Sequence, residues 1–117
     1  MTDWIFPLAA LLTIAFGAFG FLAPRFTAAA LDLTPGDSTM GLSEIRASVG
    51  GLFVVMGLGC LIIGTPEAYG MLGLAYVGAA SGRFLSCFLD RPTPKRAWIF
   101  GLIEAALAAM LTPGLAV

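Results

Sequence analysis

From Ser43 to Gly64 the chain runs for the length of a membrane span with its only charges, Glu44 and Arg46, in the first turn, followed by the doublet Gly50-Gly51. A hydrocarbon layer about 30 Å thick is crossed by roughly 20 apolar helical residues, and three further stretches meet that requirement, 3–23, 66–89 and 94–112. Backbone amides inside lipid must find their partners within the segment or in a closed barrel. Long unbroken apolar runs do this as helices, so the expected fold is an all-α, four-span antiparallel transmembrane bundle, one domain over 1–117. Composition agrees: 59% of the 117 residues are hydrophobic and 11% charged, too few charges to clothe a water-soluble core of that size.

The ends of the segments carry start and stop signals. Thr2 or Asp3 is placed to cap the first helix, Pro7 falls in its first turn, and Pro24 stops it. The stretch before the apolar run holds Asp3 and no Lys or Arg, so it lacks the positive region of a cleaved signal peptide and is expected to stay as a span. Between Arg25 and Leu42 the chain turns polar. Phe26, Ala29, Ala30 and Leu33 suit a short interfacial helix, and an ordinary loop fits equally well. Thr65, Pro66 and Glu67 supply a capping hydroxyl, a proline at the first helical position and an acid near the positive dipole end, which makes a tight hairpin. Thr93 and Pro94 repeat that pattern before the last span.

Small residues recur at helical spacing: Ala9, Thr13, Gly17 and Gly20 in the first span, Gly50, Gly57 and Gly64 in the second, Ala75, Ala79, Gly82 and Ser86 in the third, and Gly101, Ala105 and Ala108 in the fourth. Lipid offers no hydrophobic drive for helix association, so smooth faces of this kind are where helices pack.

All six Lys and Arg residues (Arg25, Arg46, Arg83, Arg91, Lys95, Arg96) lie in or near the loops after the first and third spans. By the positive-inside rule those loops face the cytoplasm and both termini face outward.

Four of the charges within the apolar segments form the candidate site: Glu44, Arg46, Arg83 and Glu104. Counted from the cytoplasmic boundary, Arg83 and Glu104 each lie roughly 10–12 Å deep, level with one another. An unpaired charge at mid-membrane costs on the order of 3 kcal/mol, so Glu104 is expected to pair with Arg83, with Arg46 the next neighbour. Arg46 shares the face of Gly50, four residues on, whereas Glu44 points about 200° away from Arg46. That places Arg46 inward and Glu44 at the rim. Two readings stay open: an ion pair that fixes helix register, or a cytoplasm-facing pocket for an anionic headgroup or small anion.

With no histidine in the chain, a haem or His-liganded metal lacks its usual protein ligand, and no metal or other cofactor is expected. Cys60 and Cys87 fall near opposite membrane faces, too far apart for a disulfide, and read as packing residues. Ser81 and Ser86 have no histidine to activate them, and the glycines follow no strand as a phosphate loop would, so no catalytic constellation stands out.

Glu44-Ile45-Arg46-Ala47 followed by Gly50-Gly51, Gly82-Arg83-Phe84 with Asp90 downstream, and Glu104 in the last span together resemble a family of small four-helix bacterial membrane proteins known as a domain of unknown function, distantly similar to DoxX-like proteins. The resemblance covers nearly the whole chain. It implies a plasma-membrane protein of four spans and no assigned reaction.

Two functions are expected from these features. The first is a non-enzymatic structural or accessory protein that packs on itself or on a larger membrane complex, since short loops leave little but helix faces for recognition. The alternative is binding or transport of an anionic lipid headgroup or small anion at Arg46, Arg83 and Glu104. The lipid bilayer is the expected partner under either, and nucleic acid is not expected.

Overall fold

The computed structural model describes residues 4–116, so the capping expectation for Thr2 and Asp3 lies outside the described residues. Among them the secondary structure is entirely helical, in five helices: α1 Ile5–Leu22, α2 Pro24–Ala30, α3 Met40–Ile63, α4 Pro66–Leu89 and α5 Lys95–Leu111, the last continued by a 3₁₀ turn, Thr112–Ala116. Four of these (α1, α3, α4 and α5 with its 3₁₀ turn) are long and apolar enough to cross a membrane. Their outer surfaces carry Ile62 at 82%, Leu22 at 72% and Leu89 at 70% exposure, side chains that suit hydrocarbon as solvent and would be a large apolar patch in water. No buried side-chain N or O among the described residues lacks a hydrogen-bond partner, as lipid demands.

The chain forms two compact units, residues 10–62 and residues 1–9 with 63–117. In the first, α1 and α3 pack antiparallel through glycine. A Cβ on Gly57 would meet the Ala10 carbonyl at 2.9 Å; one on Gly17 would meet the Val54 N at 2.8 Å and the Gly50 O at 2.9 Å; one on Gly20 would meet the Val49 O at 2.7 Å. A Cβ on Gly50 would run into the backbone of Gly20 and Phe21. Gly64 does not extend this face: it is exposed, with φ 73°, and takes the left-handed position that ends α3.

Within α3, residues Ile45–Gly51 form a π-helical segment, with the Leu52 N–H donating to the Ala47 carbonyl five residues back. The local sequence favours this widening. The Ser48 hydroxyl takes the Glu44 carbonyl at 2.7 Å, competing with the ordinary ladder, and the Gly50-Gly51 doublet resists little.

Of the two expectations for the residues after α1, a short helix rather than a plain loop is found: α2, which ends before Leu33. Pro24 occupies its first turn, and it ends where Asp32 adopts φ 61°, with Asp32 N–H donating to the Ala29 carbonyl and Leu33 N–H to the Ala28 carbonyl. That paired closure satisfies carbonyls the helix would otherwise orphan. Phe26 is 63% exposed while Pro24, Thr27 and Ala28 are buried, so the helix rests on its small residues.

In the second unit α4 and α5 form an antiparallel hairpin. Thr65 caps α4, its hydroxyl accepting from the Ala68 N–H at 3.3 Å ahead of Pro66. A Cβ on Gly70 would meet the Leu115 backbone N at 2.8 Å and one on Gly73 the Thr112 N at 2.8 Å, while Gly114 lies against the Pro66 carbonyl. Phe6, in the first turn of α1, stacks on Tyr69 at 5.2 Å. The packed side of α4 is therefore Tyr69, Gly70, Gly73, Tyr76, Ala80 and Cys87; the Gly78 and Gly82 side is open, with nothing within 4 Å of an added Cβ.

Candidate functional site

Arg83 and Glu104 meet across the α4–α5 hairpin. The guanidinium approaches the carboxylate side-on, Nε donating to Oε1 at 3.2 Å and Nη2 to Oε2 at 3.1 Å. Gly101, one turn before Glu104, makes room for this: a Cβ there would stand 3.0 Å from Arg83 Cγ and 2.9 Å from Phe84 Cε1. The Phe100 ring lies 5.6 Å from the guanidinium carbon, adding a cation–π contact. The two side chains are 32% and 19% exposed, sheltered enough for the forked geometry to matter and open enough that neither charge is stranded.

Arg46 belongs to the other unit and has a different partner. Its Nη1 donates to the Phe21 carbonyl at 2.7 Å. That oxygen is in the last turn of α1, where Pro24 interrupts the backbone ladder, so the arginine supplies a donor and a positive charge at a helix C-terminus. Arg46 and Gly50 both meet α1, but only Gly50 is buried; the Arg46 side chain is exposed rather than turned inward as expected. Glu44 is exposed, and its backbone oxygen accepts from the Ser48 hydroxyl. Of the four sequence-derived residues, the structure thus joins Arg83 to Glu104 and ties Arg46 to the backbone.

A second feature lies at the α4–α5 turn. Cys87, Arg91, Pro92, Thr93 and Trp98 line an open cavity of about 510 Å³. Thr93 does not cap α5, whose N-cap is Pro94 with no side-chain hydrogen bond. Its hydroxyl instead reaches back to the carbonyls of Cys87 at 3.0 Å and Asp90 at 3.2 Å, closing the end of α4. Two prolines in the turn leave the hydroxyl nearer α4 than α5. Asp90 accepts from the Ser86 hydroxyl at 2.7 Å. Trp98 contacts Phe84 and Phe88 with ring centres 6.1 and 6.2 Å apart. Sequence reasoning saw a basic turn here but no cavity, because its shape depends on the loop backbone; the nearest signal was a tryptophan among bases at a span's end.

Both cysteines are buried and neither is in a disulfide. Among the described residues no three His, Cys, Asp or Glu side chains gather as metal ligands would.

Four spanning-length apolar helices, with in-span arginines bound to a carboxylate and a carbonyl, define the class as a multi-pass α-helical membrane protein. The family model described as a domain of unknown function (DUF4345) matches residues 1–115, and the chain belongs to that family. No curated protein and no solved structure matches it.

Proposed function

We propose that this is a non-enzymatic membrane protein of the bacterial inner membrane that acts by helix-to-helix packing, with a second copy of itself or with a larger membrane complex. The observation that carries this reading is the open face of α4. The buried packing glycines, such as Gly17, Gly50 and Gly73, each have backbone within 3 Å of an added Cβ, whereas Gly78 and Gly82, four residues apart on one helix, have nothing within 4 Å. A small-xxx-small pair of this kind is a surface on which transmembrane helices approach closely. The six basic residues in or near the loops after α1 and α4 support an orientation with both termini periplasmic.

A polar pocket for an anionic headgroup or small anion on Arg46, Arg83 and Glu104, with Glu44 at its rim, has less support. Both oxygens of Glu104 are engaged by Arg83, and Arg46 is bound to Phe21. That arrangement favours a clasp that fixes helix register.

The packing proposal is tested by mild-detergent extraction, chemical cross-linking and size analysis of the wild type and of a Gly78→Leu/Gly82→Leu variant. The wild type is expected to run as an oligomer or with protein partners, and the variant as a monomer. A wild-type monomer that brings down no protein overturns the proposal.

A further inference from the structure

We propose that the cavity at the α4–α5 turn binds the phosphate headgroup of an anionic phospholipid, with Arg91 as the phosphate ligand and Trp98 as the wall that seats the glycerol and upper acyl chain. This site is separate from the Arg83–Glu104 clasp and does not depend on whether α4 docks on another helix.

Charge comes first. The turn and the start of α5 carry Arg91, Lys95 and Arg96 against one acid, Asp90. The Asp90 carboxylate is held by the Ser86 hydroxyl, and among the described residues Arg91 forms no ion pair. Its guanidinium carbon stands 5.9 Å from the Phe88 ring, which places a planar, multiply donating cation beside the cavity it lines. Such a fork suits a phosphate better than a lysine would. The Thr93 proton is committed to carbonyls of the turn, leaving the arginine as the cavity's strong side-chain donor.

Position decides between a lipid and a free anion. The turn joins the end of one spanning helix, Leu89, to the start of the next, Lys95, and so lies at headgroup level. Trp98 contacts Phe88 and Phe84; Phe88, 61% exposed, lies beside the turn and Phe84 one helical turn further along α4 from it. A cation at the mouth with an aromatic strip leading into the hydrocarbon matches an amphiphile, with its anionic head above and its chain below.

The test is native mass spectrometry of the purified full chain titrated with phosphatidylglycerol or with phosphatidylcholine of identical chains, for wild type and Arg91→Gln. The wild type is expected to hold phosphatidylglycerol selectively, and R91Q to lose about tenfold or more of that affinity, down to the phosphatidylcholine level. Inorganic phosphate at equal concentration is expected not to displace the lipid. Equal binding of the two lipids by the wild type, or undiminished phosphatidylglycerol binding by R91Q, overturns the proposal; displacement by inorganic phosphate overturns the lipid as ligand. Should R91Q fail to fold by circular dichroism, a Trp4→Phe background leaves Trp98 as the sole tryptophan. Its fluorescence should then be quenched more by phosphatidylglycerol brominated near the glycerol than by the matching phosphatidylcholine, and equal quenching overturns the site.

Discussion

The α1–α3 pair and the α4–α5 hairpin each hold an arginine near one end of a glycine-packed contact, but they bind it differently. Arg46 donates to a backbone carbonyl, a partner that no side-chain substitution removes. Arg83 is matched to a carboxylate that can be exchanged together with it. The first arrangement completes a helix end; the second is a replaceable clasp. The glycines differ too. Gly50 is pressed onto the backbone of Gly20 and Phe21, which cannot move aside, whereas Gly101 faces Phe84 and Arg83 side chains, which can.

The contrast is broken most forcefully at Gly50. Gly50→Ala should push α1 and α3 apart and cost about 3 kcal/mol, read as loss of thermal stability in detergent, while Gly78→Ala stays within about 0.5 kcal/mol. A Gly50→Ala protein as stable as wild type would mean that the two helices are not held backbone to backbone. Next comes the clasp. Glu104→Leu alone should cost about 2 kcal/mol by stranding Arg83, less than for a fully buried pair because Arg83 is about a third exposed. The double variant Arg83→Met/Glu104→Leu should return to within about 1 kcal/mol of wild type. A double variant that keeps the fold but loses a bound anion or a cellular phenotype would instead favour the pocket reading. The smallest effect is expected at Arg46: Arg46→Met should cost about 1 kcal/mol for the lost hydrogen bond, and no apolar change at a second side chain should restore it, since the Phe21 carbonyl stays. Full rescue by such a change would erase the distinction between the two arginines.

Much of this was legible in sequence because the bilayer sets strict rules. Length and hydropathy mark the four long helices, and equal depth anticipates the meeting of Arg83 and Glu104. What escaped depends on local backbone. Gly64 continues a seven-residue spacing yet serves as a helix terminator, since spacing does not report φ. Thr93 and Thr65 stand in the same Thr-Pro context, but only Thr65 caps the following helix. Small residues line two sides of α4, and periodicity does not say that Gly70 and Gly73 are packed while Gly78 and Gly82 are open. The spacing from Gly50 put Arg46 on the side of α3 that meets α1, but its side chain is exposed rather than turned inward; its carbonyl partner was not readable, because the ladder break at Pro24 becomes a binding feature only when α3 lies alongside.

The hydrogen bond from Arg46 to Phe21 spans 25 positions of sequence, and the order of synthesis gives that distance a meaning. The ribosome delivers the acceptor first, so a nascent chain that ends before α3 has a first helix whose last turn lacks the donor it will later receive. Until Arg46 arrives, that carbonyl must stay with water or headgroups, because hydrocarbon offers it nothing. The hydrogen bonding of α1 at this end is thus finished by a residue of the next long helix.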